Sequence, residues 1–336
     1  MNTLFTPPCV YILIAVILVL SILVFRVRKR IYAELKRWRP TEVSLGPVKI
    51  ERKEDEKQSA ANAPAFPPSA SPDSQLPDKR YNRFIGREEE IRELQTSLRD
   101  PNAKRLIGLV GMGGIGKSAL AREIVERQRV EKIFSFFLWL TAKQQSLESL
   151  DALSQDAHVN YETLLNRLIA WLGLASQLRE ETRLQQREAA VQKSLRALPA
   201  LLVLDNLETA KDQEQIAERF ALLLKDTPCR AILTSREEWK RARPVMEQRL
   251  LKGLEESSAI QLMRDTARDN TSERGLSAKD ESLRKIARAV GCMPLALKLA
   301  VGLLDNLDVK TLLENLEQIR SEQVKLLYEY LFANTW

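Results

Sequence analysis

Histidine is almost missing from this chain of 336 residues: His158 is the only one. Cysteine is scarce too, with Cys9, Cys229 and Cys292 and no C-x-x-C spacing among them. This argues against a zinc site and against a Cys/His catalytic pair. Unpaired thiols fit a reducing compartment. An excess of charge is missing from the body of the chain. The formal net charge is +7, but Arg26, Arg28, Lys29, Arg30, Lys36, Arg37 and Arg39 stand against Glu34 alone in one short segment. The remainder is nearly neutral, so no nucleic-acid surface is expected. No internal repeat is visible.

Charge is also absent from the start of the chain, which has no Lys or Arg before residue 26 and none of either sign from Val10 to Phe25. A helix over that run would span about 24 Å, and flanking apolar residues extend it toward the ~30 Å of a hydrocarbon core. A secretory signal carries its positive charge before the apolar run, not after it. The expectation is an uncleaved single-pass transmembrane helix over 8–27. The basic flank then puts the rest of the chain in the cytoplasm, at the plasma or inner membrane. Residues 8–39 are expected to meet membrane lipid, with the basic segment resting on anionic headgroups.

Residues 28–80 hold that basic juxtamembrane segment and a stretch rich in Pro, Ala and Ser, with Pro64, Pro67, Pro68, Pro72 and Pro77. So little apolar surface cannot repay the entropy of folding, and a disordered tether is expected. From Tyr81, helical patterns alternate with short apolar strands. That alternation predicts α/β architecture, a parallel sheet with helices on both faces. Strands are expected over 106–110, 134–141, 200–204 and 231–234, with a further short strand near 249–251. Helices are expected over 88–98, 117–129, 160–173, 183–197 and 212–225. Beyond the sheet, 257–268, 281–290, 294–304, 309–319 and 321–332 read as helices. The division is a nucleotide-binding domain over 81–252 and a small all-α subdomain over 253–336.

Gly111-Met112-Gly113-Gly114-Ile115-Gly116-Lys117-Ser118 fits G-x-x-x-x-G-K-[ST] at every required position, between a strand and a helix. Glycines let successive N–H groups turn inward around a phosphate, and the helix N-terminus adds partial positive charge. Ala119 continues that first turn. Lys117 is placed to reach the β- and γ-phosphates and Ser118 to ligate Mg²⁺. Ala200–Asp205 is an apolar run ending in a carboxylate, expected beside the P-loop strand with Asp205 on Mg²⁺. Asn206 follows where many ATPases place a second acid, and Asn cannot act as a base. Glu208 is placed either to polarise water or to cap the next helix. Thr234-Ser235-Arg236 ends another strand, where Arg236 can reach a γ-phosphate.

In this order the motifs resemble the NB-ARC branch of the STAND ATPases, over about residues 81–336. Phe84-Ile85-Gly86-Arg87-Glu88 is similar to the opening segment that runs along the adenine. Phe137-Leu138-Trp139-Leu140 and Leu201–Asn206 resemble the next strand and the Walker B strand. Gly291-Cys292-Met293-Pro294-Leu295-Ala296-Leu297 resembles the G-L-P-L-A-L motif, whose proline contacts nucleotide. The resemblance implies that Phe84, Ile85, Arg87 and Pro294 border base and ribose, with ATP/ADP and Mg²⁺ as cofactors. It also implies a winged helix with an ADP-contacting histidine and a repeat sensor. The sequence stops at what looks like the approach to the winged helix, and His158 is in the wrong place to substitute.

The expected function is a membrane-anchored nucleotide switch with slow ATP hydrolysis. Self-association or a partner carrying winged-helix and sensor domains would complete it. A non-catalytic scaffold, or half of a split regulator, is one alternative and a motor-type ATPase another.

Overall fold

The computed structural model describes residues 76–79, 81–142, 159–178 and 182–320. The apolar run and basic flank at 8–39, most of the tether, His158 and the helix expected over 321–332 lie outside the described residues. Among those that are described, no helix is long and apolar enough to cross a membrane.

The elements in chain order are α1 (Glu88–Arg99), β1 (Leu106–Val110), α2 (Lys117–Glu131), β2 (Phe136–Thr141), α3 (Tyr161–Trp171), α4 (Leu184–Leu195), β3 (Ala200–Asp205), α5 (Gln213–Leu223), β4 (Arg230–Ser235), β5 (Met246–Leu250), α6 (Glu256–Asp269), α7 (Glu273–Ser277), α8 (Asp280–Ala289), α9 (Pro294–Leu303) and α10 (Val309–Arg320). A one-turn 3-10 helix, Leu207–Thr209, follows β3. Most expected elements appear within a few residues of their expected bounds. The five-residue α7 was not expected. It begins where the Ser272 side chain accepts from Gly275 N.

All five strands are parallel, in the order β2-β3-β4-β1-β5. One expectation fails here: β3 does not lie beside the P-loop strand β1. β4 is inserted between them, pairing Leu106↔Ala231 through Val110↔Ser235 on one side and Leu201↔Arg230 through Leu204↔Leu233 on the other. The physical reason is burial. Every residue of β1, β3 and β4 is buried, so each strand needs partners on both edges and cover on both faces. Nothing in such a strand specifies which neighbour it takes.

The two faces are covered by different helices. Ile107, Leu109, Trp139, Val203 and Ile232 meet Leu94 of α1 and Leu120 and Ile124 of α2. That core runs on without a break into Met263, Ile286, Leu297 and Leu312 of the helices after β5. On the other face Leu138, Leu140, Leu202, Leu204 and Leu233 meet Leu168 of α3, Val191 of α4 and Phe220 of α5. Helix starts follow local chemistry. Asn160 caps α3 by accepting from Thr163 N and Asp212 caps α5 by accepting from Gln215 N, while Pro294 occupies the first turn of α9.

Candidate functional site

The site forms where β1, β3 and β4 end, beneath the turn from β1 into α2. Gly111, Gly114 and Gly116 have φ of 155°, 78° and 98°, conformations that L side chains rarely adopt. Gly111 N donates to Ser235 O (3.2 Å) and Ile115 N to Met112 O (3.3 Å), so the loop is tied to β4 at its base and closed on itself at its far side. Met112 is half-exposed at the rim, and Ile115 is buried in the core. Lys117 opens α2 from Gly116, and its Nζ donates to Gly111 O (2.7 Å) and Met112 O (3.1 Å). The loop's own carbonyls thus hold its ammonium beneath the turn. Burial pushes that ammonium below the ordinary lysine value, and Arg236 adds to the shift, while Glu208 and Asp205 oppose it.

Ser118 Oγ donates to Asp205 Oδ1 (2.7 Å), and Thr234 Oγ1 donates to the same oxygen (2.6 Å). The inserted β4 therefore does not separate the P-loop from Asp205; its Thr234 aligns the carboxylate. Sequence reasoning named Thr234 only as part of a segment, although a hydroxyl at a strand end beside the Asp205 strand was a usable signal. Asn206 sits in the left-handed region (φ 65°), and its N–H donates to Thr234 Oγ1 (2.9 Å). A serine hydroxyl and a carboxylate are hard oxygen donors, a set that suits Mg²⁺ with its remaining positions filled by phosphate and water.

Two arginines bound the loop. Arg87 has a side chain only 3% exposed and is bonded to Glu90 (2.9 Å). Its Nη2 donates to Ile115 O (2.8 Å) and Lys252 O (2.8 Å). Its guanidinium therefore spans the P-loop and the segment after β5. Arg236 lies on the opposite side, where a Cβ at Gly113 would stand 3.4 Å from Arg236 Cζ. Its Nε donates to Glu208 Oε1 (3.0 Å). Glu208 makes no bond to a helix start, because Asp212 caps α5. The capping alternative for Glu208 is thus excluded.

The helices after β5 reach the same loop. Leu295 N donates to Gly114 O (3.2 Å), and Leu254 N donates to Cys292 O (2.9 Å). Pro294 Cγ would stand 3.8 Å from a Cβ at Gly116. Ile85 is buried, and Phe84 packs against the core with its ring edge-on to Tyr81 at 5.4 Å. Ala119 lies one residue beyond Ser118 in the first turn of α2. The structure therefore gathers Gly111 to Ser118, Asp205, Glu208, Arg236, Arg87 and Pro294 around one loop.

The model of the NB-ARC domain matches residues 87–273. The chain belongs to the NB-ARC family. It is a nucleotide-binding P-loop domain of STAND type, homologous to plant disease resistance proteins. Among its relatives is a probable disease resistance protein of Arabidopsis thaliana, 28% identical over 232 residues, covering 66% of this chain and 24% of that protein. Disease resistance protein RPP8 of the same plant is 29% identical over 166 residues, covering 48% of this chain and 16% of RPP8. The chain thus spans a quarter or less of the length of these relatives. A STAND protein with a tetratricopeptide repeat sensor from Pyrococcus horikoshii is similar in structure, with a TM-score of 0.46 at 19% identity over 71% of this chain and 33% of that one.

Proposed function

We propose that this NB-ARC domain is an ATP/ADP switch with slow hydrolysis, held at a membrane by residues 8–27. The observation that carries the switch is the bond from Leu295 N to Gly114 O. Through it the start of α9 rests directly on the phosphate loop, so a change in the loop is felt by the helices after β5. Lys117 neutralises phosphate charge, Ser118 and Asp205 hold Mg²⁺, and Arg236 answers to the γ-phosphate. Phe84, Ile85 and Pro294 border base and ribose, and Arg87 holds the loop beside them. Asn206 supplies no carboxylate base, which keeps turnover well under the ~1–10³ s⁻¹ usual for enzymes. The γ-phosphate biases how the later helices sit on the sheet.

The test is Lys117→Ala in the full chain. The parent binds ADP and ATP by calorimetry, and the variant loses about a hundredfold or more in affinity while still unfolding in one cooperative transition. Equal binding by both proteins overturns the assignment. Attachment has its own test: the full chain stays with membranes in high salt, which screens charge but does not extract a spanning helix. Release by salt would show a peripheral contact.

A further inference from the structure

Resting on that nucleotide-binding reading, we infer that Glu208 sets the preference between nucleoside diphosphate and triphosphate by competing with the γ-phosphate for Arg236. The pair is lopsided. The Arg236 side chain is 64% exposed and that of Glu208 only 11%. Glu208 sits on the 3-10 turn directly after Asp205 and Asn206. That turn is fixed by Thr209 N to Asn206 O (3.1 Å) and by Thr209 Oγ1 to Ala142 O (2.9 Å). The carboxylate is therefore the immobile partner and the arginine the mobile one. Glu208 Oε2 is buried with no hydrogen-bond partner, so Arg236 is the group that hydrogen-bonds this carboxylate, and the Lys117 charge acts on it as well.

The arginine is also where a phosphate would find it. It lies against Gly113 at the tip of the loop, with Lys117 beneath. A guanidinium has five donors in a fixed fork and suits a phosphate better than a single Nε contact to a carboxylate. The arginine side of the pair is exposed and makes a single hydrogen bond to the carboxylate, so one contact has to be exchanged. The diphosphate has no γ-phosphate to offer and leaves the pair intact. The triphosphate must first break it, so its affinity is reduced by the fraction of molecules in which Arg236 is held. The unpartnered Oε2 then makes Glu208 the group that draws Arg236 back once the γ-phosphate is gone.

The experiment is calorimetry on the full chain with Mg²⁺, using ADP and the non-hydrolysable imido analogue of ATP as probes. Glu208→Gln keeps the shape and removes the charge. Affinity for the analogue should rise about three- to tenfold and that for ADP stay within about twofold. In an Arg236→Ala background the same substitution should change neither. Glu208→Asp, one methylene shorter, serves as the second variant and should shift the ratio in the same direction. An unchanged ratio in Glu208→Gln overturns the inference while leaving nucleotide binding standing. The same gain in the Arg236→Ala background also overturns it, since that would be simple repulsion between carboxylate and phosphate. A parent chain that binds neither probe overturns the nucleotide reading, and this inference with it.

Discussion

The two flanks of the phosphate loop are built differently. On the Ile115 side, Arg87 is buried and spends its guanidinium on two backbone carbonyls and Glu90. On the Gly113 side, Arg236 is exposed and holds one carboxylate. A buried arginine with several fixed acceptors belongs to the frame, because removing it strands polar groups away from water. An exposed arginine with one acceptor can change partner at little cost. Gly114 lies between the two, and its carbonyl carries the bond from α9. One side of the loop thus holds it in place while the other is free to respond, and the helical part is attached between them.

Substitutions at four positions would break or sharpen this contrast. Gly253→Ala should do most damage. A Cβ there would stand 2.2 Å from Gly291 O, and backbone cannot yield as a side chain can. A loss of about 3 kcal/mol in urea unfolding is expected. A loss under about 0.5 kcal/mol would mean that the segment after β5 is not pressed against the turn before α9. Next, Arg87→Ala strands the Ile115 and Lys252 carbonyls and should cost about 2–3 kcal/mol. Arg87→Lys should recover only part of that, since one ammonium cannot reproduce a rigid fork. Full recovery by lysine would remove the reason for calling this flank fixed.

Arg236→Ala leaves the largely buried Glu208 carboxylate without its ion-pair partner, and should cost about 1–2 kcal/mol, measured in the same way. A loss as large as that of Arg87→Ala would abolish the contrast. The smallest effect is expected at Cys292, which sits in the turn before α9 with φ 52°. Cys292→Gly relieves that left-handed strain and should gain about 0.5 kcal/mol in thermal unfolding, after the entropy that glycine adds to the unfolded chain. A loss of stability would show that the thiol's packing outweighs the strain.

The sequence makes part of this legible. The spacing from Gly111 to Ser118 names the loop, and the apolar run into Asp205 names its partner, because both patterns are local and their chemistry is strict. The strand order was not legible. β1, β3 and β4 are buried on both faces along their whole length, so alternation could not assign faces or neighbours. α7 escaped because five residues are too few to show a helical period. The Glu208–Arg236 pair was also hidden. Each residue could be placed at a strand end, but only the insertion of β4 brings those two ends together. Arg87 was expected along base and ribose, and nothing in its neighbours indicated that its guanidinium would also clamp the loop from behind. The same holds for Arg230, which is buried in β4 and donates to the carbonyl oxygens of Ala103 (2.7 Å) and Lys104 (3.1 Å).

The central claim is that the state of the nucleotide reaches the helices after β5 through Gly114. Hydrogen exchange of single backbone amides in the full chain tests it most directly, comparing saturating ADP with the imido analogue of ATP. The Leu295 amide, whose acceptor is Gly114 O, should change its protection about tenfold or more between the two nucleotides. The Ile91 amide, which donates to Arg87 O in the fixed flank, should exchange alike in both. Equal protection of Leu295 in the two states would contradict the claim, and so would an equal change at Ile91.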